Sequence, residues 1–139
     1  MPWPPKTPYL AVDGIVKLFD QKGEFKGIVL IERKNPPIGL ALPGGFVEIG
    51  ETVEEAVVRE IKEEVNLDFN IEKILGVYSK PNRDPRFHTV SVVFVGHAFG
   101  EPKASSDAKV AKVFKLEEIP WEKLVFDHSE ILRNFIASL

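Results

Sequence analysis

Three closely spaced glutamates are the first residues of this chain whose type and spacing indicate chemistry. Glu60, Glu63 and Glu64 stand at positions i, i+3 and i+4 of a stretch that contains no glycine or proline. A helix would present all three carboxylates on one face, within about 6 Å of axial rise. Like charges at that spacing repel by about 0.2–0.5 kcal/mol per pair, and in the second half of a helix they oppose its dipole. Because Mg²⁺ and Mn²⁺ prefer carboxylate oxygens, the cluster indicates a divalent metal site, and the alternative is a solvated acidic surface.

The segment that must position these glutamates is predicted to be a helix over Thr52–Val65. Thr52 is the predicted N-cap, with Glu55 three residues later as its capping-box partner. Asn66 suits the left-handed residue that ends a helix. A separate aliphatic stripe would pack this helix on a sheet. The stripe consists of Val57, Val58, Ile61 and Val65.

Strand-like runs surround that helix. Their apolar patterns and the turn-forming residues between them predict strands at Tyr9–Phe19, Phe25–Glu32, Leu40–Leu42, Ile71–Ser79, Thr89–Phe99 and Lys109–Leu116. One turn of helix is predicted at Leu116–Ile119, and a final helix at about His128–Ser138 with Asp127 as its candidate cap. Many strands with two helices predict an α/β fold, a layered α/β/α sandwich around a mixed β-sheet.

Composition and charge limit the class of protein. The chain has 139 residues, of which 44% are hydrophobic, a formal net charge of -3 and no cysteine. These values fit one domain over residues 1–139 with a proline-rich arm at residues 1–8, and they argue against disorder. Without cysteine there are no disulfides or thiolate metal sites, and the slightly acidic charge gives no basis for binding nucleic acid. Since the chain contains neither a run of about 18 apolar residues nor a signal-peptide core, we expect a cytoplasmic protein with no membrane partner.

One continuous stretch follows a known motif. Residues 45–67 read G-F-V-E-I-G-E-T-V-E-E-A-V-V-R-E-I-K-E-E-V-N-L. This stretch resembles the Nudix box, G-x5-E-x7-R-E-U-x-E-E-x-G-U, in which U is aliphatic. The matching positions are Gly45, Glu51, Arg59, Glu60, Ile61, Glu63, Glu64 and Leu67. Asn66 stands where the family has glycine, and asparagine is the next residue best able to adopt a positive φ.

The resemblance implies a fold, a reaction and a metal. The fold would be the Nudix fold over essentially the whole chain, and the reaction would be hydrolysis of a nucleoside diphosphate linked to another group. The cofactor would be Mg²⁺, with Mn²⁺ as an alternative, held by the backbone carbonyl of Gly45 and by Glu60 and Glu64. Glu63 would be a further ligand or the base that activates water.

The identity of the general base stays open at this stage. Some relatives have a glutamate in a late loop, but Val110 occupies that position here. The base must then come from the box, as Glu63 or Glu60, or from an acid elsewhere such as Asp107 or Glu101. A general base usually contributes about 10²–10⁴-fold to the rate.

Four arginine and glutamate positions are candidates for orienting the site and its substrate. Arg59 and Glu51 match a family pair that orients the catalytic carboxylates, and the alternative is a surface salt bridge. Arg33 or Arg86 could clamp phosphate or ribose, because a guanidinium is a planar fork of donors. For Arg86 the alternative is that residues 81–86 form a rigid turn in which Arg83 and Arg86 are solvated.

The segments on either side of the box narrow the class of substrate. Residues 32–46 resemble the lead-in of ADP-ribose pyrophosphatases, with Leu40 in place of a common tryptophan. Residues 83–91, R-D-P-R-F-H-T-V-S, resemble the R-D-P-R-G-H-x-V-S loop of the same group. A proline about fifteen residues beyond the box, here Pro81, is a further mark of that group.

Residues outside these motifs are interpreted as structural. Trp3 and Tyr9 are large for a free arm, and we expect them to pack on this domain or on a partner subunit. His88 and His128 are interpreted as orienting or capping residues. Relatives of this type are often homodimers, so the resemblance implies a homodimer as well.

The leading hypothesis is a small-molecule nucleotide hydrolase that converts ADP-ribose to AMP and ribose 5-phosphate. The alternative is a MutT-like triphosphatase that removes 8-oxo-dGTP. A minor alternative is a Nudix-fold sensor that binds ADP-ribose without hydrolysing it, and the intact box argues against that hypothesis.

Overall fold

This computed structural model describes residues 3–104 and 108–139 of the chain. They contain seven strands and two α-helices. The strands are β1 (Tyr9–Phe19), β2 (Phe25–Arg33), β3 (Leu40–Ala41), β4 (Gly44–Phe46), β5 (Asn70–Tyr78), β6 (Thr89–Phe99) and β7 (Ala108–Phe114). The helices are α1 (Val53–Val65) and α2 (His128–Ala137), and two short 3-10 turns lie at Leu116–Glu118 and Trp121–Lys123. None of the helices in these ranges has the length and hydropathy of a membrane span.

The sheet is mixed, as the sequence predicts. Its central path runs β3-β2-β1-β6-β5, while β4 pairs with β1 and β7 pairs with β2. Strands β1 and β6 are parallel along their whole length, and the other pairs are antiparallel. The first half of β1 therefore lies between β4 and β6, which brings the glycine-rich β4 to the middle of the sheet.

Each face of the sheet is covered by one helix. Successive side chains of a strand point to opposite faces, and on β1 the core residues Val12 and Val16 belong to the cluster packed on α1, whereas Ile15 belongs to the cluster packed on α2. Burial of each such aliphatic side chain contributes about 1.5–3 kcal/mol. At Gly14 a Cβ atom would overlap the side chain of Ile61, so glycine lets α1 lie close to β1. The α/β/α arrangement predicted from the sequence is confirmed.

The ends of α1 agree with the predicted capping residues. Thr52 Oγ1 accepts a hydrogen bond from the Glu55 N–H at 3.1 Å, and Glu55 Oε1 accepts one from the Thr52 N–H at 3.0 Å. Asn66 has φ 55 and ψ 41, the left-handed conformation. The predicted apolar stripe is wrong at one position. Val58 is 39% exposed, and Ala56 is buried instead.

Other element boundaries differ at the ends. Strand β4 and the 3-10 turn at Trp121–Lys123 were not predicted, since three residues with two glycines carry no strand pattern of their own. The last strand ends at Phe114 rather than at Leu116. In the arm, Trp3 is exposed, whereas Tyr9 packs on this domain with its ring centroid 4.8 Å from that of Phe87.

Candidate active site

The inner face of α1 brings two glutamates against β4. Glu64 Oε1 accepts a hydrogen bond from the Gly44 N–H at 2.6 Å. A Cβ atom on Gly45 would lie 2.5 and 2.6 Å from the carboxylate oxygens of Glu60, so only glycine leaves room for that carboxylate. The structure thus brings together Gly45, Glu60 and Glu64.

Arg59 connects three glutamates of the box, Glu51, Glu60 and Glu63. Its guanidinium donates to both carboxylate oxygens of Glu51 at 2.6 and 2.9 Å, to Glu60 Oε1 at 2.9 Å and to Glu63 Oε2 at 3.2 Å. It also donates to the carbonyl of Phe46 at 3.1 Å. This is more than the isolated surface salt bridge that the sequence left as an alternative, because one side chain orients three carboxylates and the end of β4.

Burial and ion pairing separate the charge states of these carboxylates. The hydrogen bonds from Arg59 lower the pKa of Glu51 to about 2, whereas burial raises the pKa of Glu60. Burial also raises the pKa of Glu64 to about 8, and the charge of Glu60 adds to that increase. Glu63 lies at the edge of the group, with 59% of its side chain exposed. The inner carboxylates are therefore the ones that a nearby positive charge would stabilise most.

The lowered pKa of Glu51 predicts a pH-dependent contribution to stability. A carboxyl group whose pKa is lower in the folded than in the unfolded state stabilises the fold above its unfolded pKa and loses that contribution as the pH falls towards the folded value. We expect Glu51→Gln to melt at a lower temperature than the wild type at pH 7, with the gap narrowing as the pH falls from about 5 towards 2. Differential scanning calorimetry in metal-free buffer measures this, and Glu54→Gln on the same helix is the control. A gap that does not change with pH would contradict the ion pair.

Two arginines line the same cleft as the inner glutamates. Arg33 and Arg86 line a cleft of about 120 Å³ together with Gly45 and Glu64. Their guanidinium carbons lie 5.0 and 5.4 Å from the centroid of the Phe126 ring. The cleft therefore combines the carboxylate of Glu64 with two guanidinium groups, and Asp84 also lines it.

Arg86 and Arg33 are held in place by protein acceptors. Arg86 donates to both carboxylate oxygens of Asp84, at 3.0 and 2.8 Å, and Arg33 Nε donates to the carbonyl of Pro37 at 2.9 Å. These contacts do not use Nη1 of either guanidinium, and both arginines line the cleft, where an anion could bind.

Arg83 and Asp127 correct two predictions. The solvated alternative for Arg83 is wrong, because the residue is 7% exposed and donates to both carboxylate oxygens of Asp127 at 2.9 and 2.7 Å. For the same reason the Asp127 side chain does not cap α2, although Asp127 occupies the N-cap position. This ion pair joins the loop between β5 and β6 to the start of α2.

Two buried polar residues that line the cleft, His128 and Asp13, were only partly predicted from the sequence. His128 Nδ1 accepts a hydrogen bond from the Leu42 N–H at 2.9 Å, so the ring orients the segment that leads into β4, as its interpretation as an orienting residue suggests. Its Nε2 lies 3.8 Å from Asp13 Oδ2, which in turn accepts from the Ser91 hydroxyl at 2.5 Å. Burial raises the pKa of Asp13 to about 7 and lowers that of His128 to about 3. The sequence signal for Asp13 is a charged residue within the apolar run of β1.

The other candidate acids lie elsewhere. Glu101 lines a surface hollow with Asp20 and Asn66, away from the cleft. Val110 lies on β7 opposite Glu32, and Asp107 falls outside the described residues. Of the remaining histidines, the ring of His88 pairs with the carbonyl of Ser79 at 3.0 Å, which agrees with an orienting residue.

Comparison with known proteins decides the family. The profile of the NUDIX domain matches residues 8–136. The chain belongs to the Nudix family. It is 53% identical over 132 residues to the ADP-ribose pyrophosphatase of Methanocaldococcus jannaschii, an alignment that covers 93% of this chain and 73% of that protein.

Solved structures show the same Nudix fold. A MutT/nudix family protein from Enterococcus faecalis matches with a TM-score of 0.78 and 32% identity, over 95% of this chain and 62% of that chain. A bifunctional NMN adenylyltransferase/ADP ribose pyrophosphatase from Francisella tularensis, complexed with AMP and a Mn ion, matches with a TM-score of 0.83 and 28% identity. That match covers 97% of this chain and 43% of the other, so the Nudix chain described here spans less than two thirds of either structure.

Proposed function

We propose that this Nudix hydrolase cleaves the diphosphate of ADP-ribose to give AMP and ribose 5-phosphate. The observation that carries the proposal is the cleft that Glu60 and Glu64, beside Gly45, line together with Arg33 and Arg86. The guanidinium groups suit the anionic oxygens of a diphosphate, and the carboxylates suit a cation bound beside it. The name of the relative from Methanocaldococcus jannaschii, an ADP-ribose pyrophosphatase, supports the choice of substrate.

The donor chemistry of the site fits a divalent metal, for which we propose Mg²⁺, with Mn²⁺ as an alternative. Within residues 3–104 and 108–139 no three Asp, Glu or His side chains are already grouped as a cation site, and the carboxylates are bonded to Arg59 and to Gly44 instead. The candidate ligands are two partly buried carboxylates, Glu60 and Glu64, and the carbonyl of Gly45, which together form an all-oxygen set that suits a hard cation. A bound divalent cation supplies charge neutralisation and positions the phosphates for in-line attack.

The chain's own residues divide the remaining work. Arg33 and Arg86 bind the phosphate oxygens, and Arg59, fixed by Glu51, orients Glu60 and Glu63. Glu63 is the general base in this proposal, because it is the most exposed carboxylate of the group and can accept a proton from water. Water oxygen then bonds to one phosphorus, the bond from that phosphorus to the bridging oxygen breaks, and the proton passes to the carboxylate.

A homodimer is proposed as the assembly. Strand β5 lies at the edge of the sheet and exposes the aliphatic side chains of Ile71, Ile74 and Val77, a pattern that favours an interface. The cytoplasmic location stays a prediction from the sequence.

ADP-ribose is expected to exceed 8-oxo-dGTP in kcat/KM by at least about tenfold, which corresponds to about 1.4 kcal/mol of transition-state binding. The reason is that residues 32–46 and the loop Pro81–Arg86 resemble the corresponding segments of ADP-ribose pyrophosphatases, and the relative at 53% identity carries that name. Product analysis by ion-exchange chromatography separates the two activities, since ADP-ribose gives AMP and ribose 5-phosphate whereas 8-oxo-dGTP gives pyrophosphate. The reverse preference would favour the MutT-like alternative, and binding of ADP-ribose without turnover would favour the sensor.

A further inference from the structure

Three aromatic rings form an exposed cluster at the mouth of the cleft. They belong to Tyr9 at the start of β1, Phe46 at the end of β4 and Phe87 in the loop between β5 and β6. Their centroids are 4.8–6.0 Å apart, yet each residue remains 39–60% exposed. The Tyr9 N–H donates to the carbonyl of His88 at 3.1 Å, which fixes the loop beside the strand. Exposed rings held rigidly in this way are typical of binding surfaces.

The cluster is continuous with the diphosphate cleft. Phe46 lines that cleft beside Gly45 and Glu64. The guanidinium carbon of Arg86 lies 5.1 Å from the ring centroid of Phe87 and 6.0 Å from that of Phe46. The arginine that faces the substrate phosphates therefore packs against the same rings, and the nucleoside of a bound diphosphate is joined to the phosphate by only a few bonds.

We propose that Phe87, supported by Tyr9 and Phe46, binds the base of the nucleotide substrate by stacking and so determines specificity for the nucleoside half. The inference rests on the proposed function and adds the residue that recognises the base. Every base has a π-face that an aromatic ring can cover. Phe87 occupies the glycine position of the R-D-P-R-G-H pattern, so this contact belongs to this chain rather than to that pattern.

The experiment compares ADP with inorganic pyrophosphate, a diphosphate with a base and one without. Dissociation constants are measured by isothermal titration calorimetry with Mg²⁺ present. In Phe87→Ala we expect the Kd of ADP to rise at least about tenfold, as is usual when a stacking ring is removed, while the Kd of pyrophosphate stays within about twofold. Phe87→Trp keeps an aromatic ring at this position and should bind ADP with a Kd close to that of the wild type. Phe99→Ala, which removes an exposed ring on β6, is the matched control and should change neither constant.

Each other outcome overturns the proposal. Equal rises for ADP and pyrophosphate would mean that Phe87 acts through Arg86 on the phosphates. No change in either constant would mean that the base does not lie on this ring. A wild-type dimer that becomes a monomer in Phe87→Ala, measured by sedimentation velocity, would mean that a second copy covers the ring.

The same measurements separate this inference from the proposed function. Binding does not require turnover, so weakened ADP binding in Phe87→Ala supports the base site even if the wild type does not hydrolyse ADP-ribose. Conversely, a wild type that hydrolyses ADP-ribose and a variant with unchanged ADP binding would retain the function and overturn the base site.

Discussion

Replacing Glu64 by glutamine is expected to lower kcat by at least about a hundredfold, or about 2.7 kcal/mol, while leaving the fold intact. Glutamine keeps a side-chain oxygen that can accept the 2.6 Å hydrogen bond from the Gly44 N–H, so the contact between α1 and β4 survives. What the variant loses is the negative charge with which Glu64 would hold a cation. Steady-state kinetics with ADP-ribose measure the effect.

Thermal melting distinguishes a lost charge from a damaged fold. Burial raises the pKa of Glu64 to about 8, and a carboxyl group whose folded pKa is raised makes the fold less stable as the pH rises from about 4.5 towards that value. Without metal at pH 7, Glu64→Gln should therefore melt no lower than the wild type. The kinetic control is Glu54→Gln, an exposed glutamate in the first turn of α1. Equal losses of kcat in both variants would mean that the inner face of the helix has been assigned wrongly.

Chelation with EDTA is expected to abolish turnover, and addition of Mg²⁺ or Mn²⁺ to restore it. The physical reason is that the diphosphate and the carboxylates of Glu60, Glu63 and Glu64 carry the same sign of charge. Arg86 is already paired with Asp84, so the two arginines of the cleft do not neutralise the substrate alone. Hydrolysis of ADP-ribose before and after chelation tests this, and circular dichroism confirms that the fold persists. Full activity in metal-free buffer would contradict the proposed mechanism.

Local signals explain which elements the sequence could predict. Helix α1 was placed correctly at both ends because its capping box and Asn66 act within a few residues. Strands β1 and β6 were placed to the residue, since long apolar runs end in turn-forming residues there. Strand β4 was missed because it exists only through pairing with β1, a contact between segments about 30 residues apart.

The candidate site likewise contains contacts that a local sequence signal could predict and contacts that it could not. A motif of fixed spacing on one helix predicted that Glu60 and Glu64 share a face; the first glycine of that motif lies against Glu60, and the preceding glycine, Gly44, donates to Glu64. The partners of Arg83 and Asp13 are 44 and 78 residues away in the sequence, so the buried ion pair and the hydroxyl contact carried no local signal. Val58 was misplaced because an aliphatic residue at the border of a helix face can point either way.

Two adjacent residues, Asp127 and His128, connect the start of α2 to two distant loops. Asp127 binds Arg83 in the loop that also carries Arg86, and His128 binds the backbone of Leu42 just before the glycines of β4. During synthesis, α1 and the arginine loop leave the ribosome well before these two anchors do. A nascent chain that stops short of residue 127 would thus hold every catalytic candidate but lack the contacts that fix the arginine loop and the segment before β4. The order of translation thus makes α2 the element whose contacts complete the cleft.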